Sequence, residues 1–599
     1  MPASELVRNW NAAQAIGGRI QGAGASWPCP VVRGGNSTVR LVSTIARTSK
    51  TAEGVVFREC HAHVQVGHVG GHCLPSGSSA HSVLSPSGRS PVVLATTRAA
   101  AKRKTMRHTA ARLAEPPRRD QRSAGAWRIC HRPAMRLRWT CALLAAVAGC
   151  GDNRQPTPDP LALAVLVDTN PDPDVVEVSL VASLATVELR PGQPADVWGY
   201  RDGAIAGSRV TVPGPTLDVK QGDQVIVHFT NELEEATTIH WHGIRVPNQF
   251  DGSDHTQTPV APGATFDYRF TALDEGTYWY HPHVRGDVQV EKGLYAALVV
   301  HGGVQPEVDA ERMFVLDDVK LLDSGNLDDS QSKDDMMFGR QGNALLVNGH
   351  AGATLTAKAG ARERWRFVDA ANSRFFKLSI PGHPLLVIGW DGGLIPEPYM
   401  TDTLLISPGE RYDVIVNLDG DPGTTLSLQT LYYDRAPELP DPGTLELMSI
   451  ELADRASPLG ALPASWGALE PIPTDANTPT TVLTFHEDGT PEQRVFSING
   501  QAYPNVTPIV ATKDAIAIWK VNDDVGMDHP FHLHGMFFQV LDVDGIPPEH
   551  RGWKDTVIVP RFKALRFAVR YGEPGHWMFH CHILEHQEGG MMGVLDVVP

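Results

Sequence analysis

"GDQVIVHFTNE", residues 222–232, starts with a charged residue near its head, alternates Val225, Val227 and Phe229 with their neighbours, and finishes on Asn231 and Glu232. Alternation with a period of two puts one row of side chains on one face of an extended chain, the pattern of a half-buried β-strand. The same design returns in "ARERWRFVDAAN" (361–372) and "KDAIAIWKVND" (513–523), at a spacing of about 140 to 150 residues. A second series keeps step with the first: "PGATFDYRF" (262–270), "PGERYDVIV" (408–416) and "PRFKALRFAV" (560–569).

Two strand patterns repeating together imply three copies of one domain, each of ordinary domain size. Between them run short stretches of Val, Ile, Phe, Trp and Tyr bounded by Gly, Pro, Asp and Asn, so the fold class is all-β and each copy reads as a β-sandwich. The domains are expected at residues 166–303, ending after "ALVVHGG", at 304–455 and at 481–599. The Pro-rich stretch 151–165, containing "NRQPTPDPLA", reads as a flexible linker, and 456–480 as a long surface linker.

Charge separates the head from this body. Of 52 Lys and Arg and 68 Asp and Glu in 599 residues, the first 150 hold 21 and 5, leaving the remainder at a formal −32. An acidic body of that size repels phosphate backbones, which argues against nucleic acid as a partner.

From Met135 the head reads "MRLRWTCALLAAVAGCGDN": two arginines, a short apolar run, then Cys150. That is the grammar of an export signal, too short to span a bilayer as a helix. Its end, Val147-Ala148-Gly149-Cys150, resembles a bacterial lipobox, which would make Cys150 a lipid anchor; an ordinary signal peptide cut near Ala148 is the alternative. Either way the expected location is the cell envelope or periplasm. Residues 1–134 then become an upstream extension, expected to be disordered or to arise from a start codon set too far upstream. "CHAHVQVGHVGGHC" (60–73) within it offers zinc-ligand residue types but no surrounding fold, and is not assigned to a metal. Beyond Cys150 only Cys581 remains, so the body has no intrachain disulfide and Cys581 is free for a metal.

Four His-x-His pairs stand in the first and third repeats: His240/His242, His281/His283, His532/His534 and His580/His582. On a strand, residues i and i+2 face the same way, so each pair presents two imidazoles side by side. One isolated pair is more often a polar strand face; four pairs at matched repeat positions are a metal constellation. The middle repeat carries "FKLSIPG" (376–382) at the corresponding place and reads as a spacer.

In "MFHCHILEHQEGGMM" (578–592) the residue between the two histidines faces the opposite side, so Cys581 serves a different metal from His580 and His582. A lone thiolate, two imidazoles and a distant thioether form the ligand set of a blue-copper centre. Cys581, His586 and Met591 supply three members, and His529 of "HPFHLHG" (529–535) the fourth. The first repeat has Pro282 and Thr237 at the places of Cys581 and His529, so it cannot build such a centre alone.

Taken in order, "HWHG", "HPH", "HPFHLHG" and "HCHILEHQEGGMM" resemble the four copper signatures of the multicopper oxidases, the laccase-like family, over roughly residues 185–599. The resemblance implies three consecutive cupredoxin-like Greek-key domains and four copper ions. It matches His529, Cys581, His586 and axial Met591 to a type 1 copper and His240 and His532 to a type 2 copper. His242, His281, His283, His534, His580 and His582 match the two type 3 coppers. It further implies oxidation of phenolic or aromatic-amine donors, with dioxygen reduced to water and electrons passing from Cys581 to His580 and His582. Asp251 in "NQFDGSD" matches a family acid that delivers protons; its plainer role is an Asx-turn before Gly252. Gln587 stands where bacterial relatives often have a glutamate on the proton route. Asp555 in "WKDT" reads as a buried structural carboxylate, and Met592 as core. A Cu(I) oxidase is the alternative activity, for which only Met336-Met337 is available and reads as a surface loop. A copper store or electron carrier is the alternative of another class.

Overall fold

The computed structural model describes residues 159, 161–490 and 493–599, together with a short antiparallel pair, Arg33–Gly34 and Ser37–Thr38. Apart from that pair, the expected extension, the signal at 135–150 with Cys150, the 60–73 histidine and cysteine run and most of the first linker lie outside the described residues. No helix among the described residues is long and apolar enough to cross a membrane.

From residue 161 the chain is β-structure arranged as three two-sheet sandwiches. In each, the two repeated sequence patterns pair antiparallel in the same sheet. Gln224–Asn231 lies beside Thr265–Thr271, Ala361–Asp369 beside Arg411–Leu418, and Ile516–Asp523 beside Ala564–Arg570. On its other edge the first strand of each pair takes a parallel partner from earlier in the chain: Val175–Arg190, Ala310–Val319 and Thr480–Thr490. Parallel neighbours cannot be joined by a hairpin, so each copy needs a crossover, and the second sheet provides it.

Alternation decides which face is buried. Val225, Val227 and Phe229 enter a core with Tyr268, Tyr278 and Tyr280; Trp365, Phe367, Val414 and Val416 share the middle core; Trp519, Val521, Phe567 and Phe579 share the third. The two sheets of each sandwich supply most of its core, with Phe338 and Ala436 of the middle sandwich reaching into the third, at roughly 1.5–3 kcal/mol per fully buried large apolar side chain.

The second sheets of the outer sandwiches carry the histidines. His240–His242 pairs antiparallel with Gly276–His281, setting His240 opposite His281. In the third sandwich His529–Leu533 pairs with Gly575–Cys581, setting His532 opposite His580 and Phe531 opposite Cys581. The corresponding middle strand, Phe376–Ser379, pairs with Thr425–Leu431 and has no histidine.

Both linkers are tied down more than their composition suggests. Leu161 is buried in the middle core, and its carbonyl accepts from Asn348 Nδ2 at 2.7 Å. In 456–480, Trp466 packs on Ile388 and Ile415, and the Ile472 N–H donates to Gln539 Oε1 at 2.9 Å. Trp466 and Ile472, both buried, with Leu462 packed beside Trp466, pin this strap despite its Gly and Pro content.

Candidate metal centres

The four histidine pairs meet where the first and third sandwiches touch. His242 stacks on His532 with ring centroids 3.8 Å apart, and His240 on His534 at 3.9 Å. Every one of the eight rings is buried. Donor atoms lie within 4.8 Å of one another in three histidine groups: His242, His281 and His582; His283, His534 and His580; and His240, His242 and His532.

Hydrogen bonds on the outer side of the rings fix what they present inward. The Nδ1–H groups of His240, His281, His532 and His580 donate to the carbonyls of Asp251, Pro282, Asp555 and Cys581, at 2.8, 3.0, 3.0 and 2.9 Å. His534 Nδ1 donates to Asp251 Oδ2 at 3.0 Å. With Nδ1 protonated, Nε2 is left as a bare lone pair. The Nε2 atoms of His240, His281 and His532, Nδ1 of His242 and both nitrogens of His582 have no hydrogen-bond partner. Burial lowers the pKa of His242, His281, His534, His580 and His582 well below the ordinary imidazole value, so these rings are neutral, the form that binds metals.

His580 Nε2 lies 3.0 Å from His534 Nε2 and 3.4 Å from His283 Nε2. Lone pairs aimed at one another at that range repel unless a cation stands between them. Nitrogens bound at about 2 Å to one first-row ion lie about 3 Å apart, so the donor set fits metal ions.

A second centre lies one peptide bond away, on the other face of the same strand. His529, Cys581 and His586 bring donor atoms within 4.8 Å of one another, with Cys581 Sγ 3.9 Å from His586 Nδ1. The Ile583 N–H donates to the sulfur at 3.3 Å, Phe496 stacks on His586 at 4.0 Å, and Asp523 accepts from His529 Nδ1 at 2.7 Å. Burial pushes the Cys581 thiol up, so the chain alone holds it neutral; a coordinated metal would deprotonate it. Met591 is buried in the same core cluster, its carbonyl accepting from Cys581 N–H at 3.1 Å, while Met592 pairs in register with His580. In the first sandwich Thr237 donates to Gln289 Oε1 at 2.7 Å, a hydrogen-bonded pair with no thiolate near it.

Around the rings stand residues whose part composition could not reveal. Asp251 is more than a turn former: its carboxylate lies against His534 and, at 3.4 Å, His240. Burial alone would raise its pKa, but the two histidines hold it well below the usual carboxylate range. Gln587 is buried with its Oε1 unpaired. Asp555 is buried as expected, yet it touches the site, with Oδ1 3.4 Å from His242 Nε2 and 3.5 Å from His532 Nδ1.

The middle sandwich is not a bare spacer. Arg411 binds both oxygens of Asp555, and Gly409 adopts a φ of +85° with no room for a side chain: a Cβ there would come within 2.9 Å of His582 and 3.0 Å of His242. Met336 and Met337, read as a surface loop, lie on the short helix Lys333–Phe338, and the Met337 carbonyl accepts from His586 Nε2 at 3.0 Å.

Comparison with known proteins agrees with this geometry. Three stretches, residues 196–304, 320–431 and 473–599, match family models described as multicopper oxidase. The chain is 31% identical over 437 residues to the multicopper oxidase MmcO of Mycobacterium tuberculosis, covering 65% of this chain and 82% of that one. It is 30% identical over 435 residues to Laccase-1 of Botryotinia fuckeliana, covering 64% and 76%. Among solved structures, a multicopper oxidase from Campylobacter jejuni described as a metallo-oxidase superposes with a TM-score of 0.65 at 29% identity, over 73% of this chain and 94% of that one.

Proposed function

Because this chain belongs to the multicopper oxidase family, we propose that it oxidises phenolic or aromatic-amine donors one electron at a time and reduces dioxygen to water. The observation that carries this reading is the meeting of eight buried imidazoles from two sandwiches one peptide bond from a buried Cys-His-His set. On this reading His529, Cys581, His586 and Met591 hold a type 1 copper, and His240 and His532 a type 2 copper. His242, His281 and His582 hold one type 3 ion, and His283, His534 and His580 the other. Copper supplies one-electron redox steps, and four ions together match the four electrons that dioxygen takes up.

The protein's own share is orientation and exclusion of water. Carbonyls and Asp251 lock the outer nitrogens, so the inner lone pairs need no rearrangement to bind. The Cys581 backbone joins the sulfur to the rings of His580 and His582, a covalent path for electrons between the two centres. Asp251 stands beside the cluster as an ionised acceptor for the Nδ1–H of His534, on the side where protons would reach the site. The test is oxygen uptake by copper-loaded protein with a phenolic donor, with Cys581→Ser as control. Uptake that survives in the control would sink the proposal.

A second donor, Cu(I), is favoured by one contact. The Met337 carbonyl accepts from His586 Nε2, which brings the short helix carrying Met336 and Met337, two soft thioethers on one segment, to that imidazole. A lipid anchor at Cys150 in the cell envelope rests on the lipobox resemblance alone; acyl labelling that persists in Cys150→Ala would exclude it.

A further inference from the structure

The middle sandwich supplies none of the twelve candidate ligands, yet it sends one guanidinium into the joint between the other two. Arg411 is fully buried and uses all five of its N–H groups. Nε donates to the carbonyl of Thr277 in the first sandwich at 3.0 Å. Nη1 donates to the Gly409 carbonyl at 2.9 Å and Asp555 Oδ1 at 2.7 Å; Nη2 donates to the Asp391 carbonyl at 3.1 Å and Asp555 Oδ2 at 2.6 Å. One side chain thereby ties all three sandwiches together, and its charged partner is the carboxylate beside His242 and His532.

His242 is the odd ring of the cluster. His240, His281 and His532 leave Nε2 bare, whereas His242 leaves Nδ1 bare and directs Nε2 to Thr556 Oγ1 at 3.0 Å. The Thr556 hydroxyl has one hydrogen, which it donates to Asp555 Oδ1 at 2.8 Å. Having given that hydrogen away, it can only accept, so His242 must carry its proton on Nε2 and present Nδ1 inward. The same oxygen lies 3.0 Å from His532 Nδ1 and accepts there too. The direction of this chain depends on where the Asp555 oxygens point, and the Arg411 fork fixes the carboxylate plane. Gly243, in the left-handed region at φ +87°, leaves the space the fork occupies, since a Cβ there would collide with Arg411 Nη2 and Asp555 Oδ2.

We propose that Arg411 is a positioning residue for the three-ion cluster, acting through Asp555 and Thr556 to select the nitrogen that His242 presents and to hold His242 and His532 in register across the joint. The inference rests on the copper reading above and goes beyond it by giving the middle sandwich a part in metal binding.

The test uses the full chain and three variants, Thr556→Val, Arg411→Lys and Arg411→Leu. The readouts are copper per chain, the blue absorption of the Cys581 centre and the EPR spectrum of the copper at His240 and His532. Thr556→Val and Arg411→Lys are expected to keep the blue absorption while cluster affinity falls about 10- to 100-fold and the EPR signal shifts. Arg411→Lys should lie between wild type and Arg411→Leu. A merely structural role would lower copper at both centres together, and that result overturns the proposal. Full copper with an unchanged EPR spectrum in Thr556→Val overturns it as well, and this variant decides if the Arg411 variants fail to fold. Wild-type protein that binds copper at Cys581 but none at the histidine cluster would overturn the underlying reading, and this inference with it.

Discussion

The Nε2–H of His586 donates to the carbonyl of Met337 at 3.0 Å, so the ring beside Cys581 ends on the main chain of a helix from a different sandwich. Met336 and Met337 are half-buried there, and Ser332 caps that helix, its hydroxyl accepting from Asp335 N–H at 3.0 Å. If Cu(I) is a donor, replacing both methionines by leucine raises its KM about tenfold, because two soft ligands are lost at constant volume. Oxidation of a phenol, which needs no thioether, changes less than about twofold. Steady-state oxygen uptake with each donor separates the two; equal losses for both would remove the methionines from any part in donor choice.

Asp251 separates a turn from a proton route. Its carboxylate accepts from His534 Nδ1 at 3.0 Å, and asparagine there keeps the shape but loses the charge and the basic oxygen. Asp251→Asn is expected to retain its copper and to lower kcat for oxygen reduction about a hundredfold, the scale of one lost acid–base group. Metal analysis beside turnover checks it, and full turnover would leave Asp251 with an orienting role only.

Stability should follow pH through a partly exposed cluster on the first sandwich. His228 lies between Asp267 and Glu177, each at 2.8 Å, and the hydrogen bond to Glu177 is the largest of the effects that raise its pKa above the ordinary 6.5. A raised imidazole pKa stabilises the fold fully below 6.5 and loses that contribution as pH rises through the folded-state value. Glu177 and Asp267 are lowered, chiefly by hydrogen bonding to His228, so their contributions are present above 4.5 and 3.8 and fade as pH falls. All three overlap between 4.5 and 6.5, and the thermal midpoint should decline as pH rises above that window. His228→Gln should flatten the decline, and an identical slope in the variant would assign it elsewhere. The groups are partly exposed, so the effect is small.

What could be read from the chain alone follows from how local each signal is. The paired histidines and Cys581 declare themselves because a strand turns i and i+2 to one face, a rule that needs no tertiary knowledge. Asp555 in "WKDT" reads as a buried structural carboxylate, but Arg411 and His242, which it also touches, come from the other two sandwiches. Arg411 sits in "PGERYDVIV", where alternation marks a strand and says nothing about which domain lies beyond its edge. The helix carrying Met337 has six residues, too few to show a 3.6-residue period. Trp466 stands in a stretch broken by Gly and Pro, where the apolar residues keep neither a two- nor a 3.6-residue period.

The joint between the first and third sandwiches has a kinetic side. His283 and His580 are 297 positions apart in sequence yet 3.4 Å apart in space, and the tether between them is the middle sandwich with its pinned strap. Two half-sites on separate molecules would meet at a rate set by their dilution. Here the encounter is unimolecular, at an effective concentration on the order of millimolar or above. Formation of the cluster is therefore insensitive to how much of the protein is present.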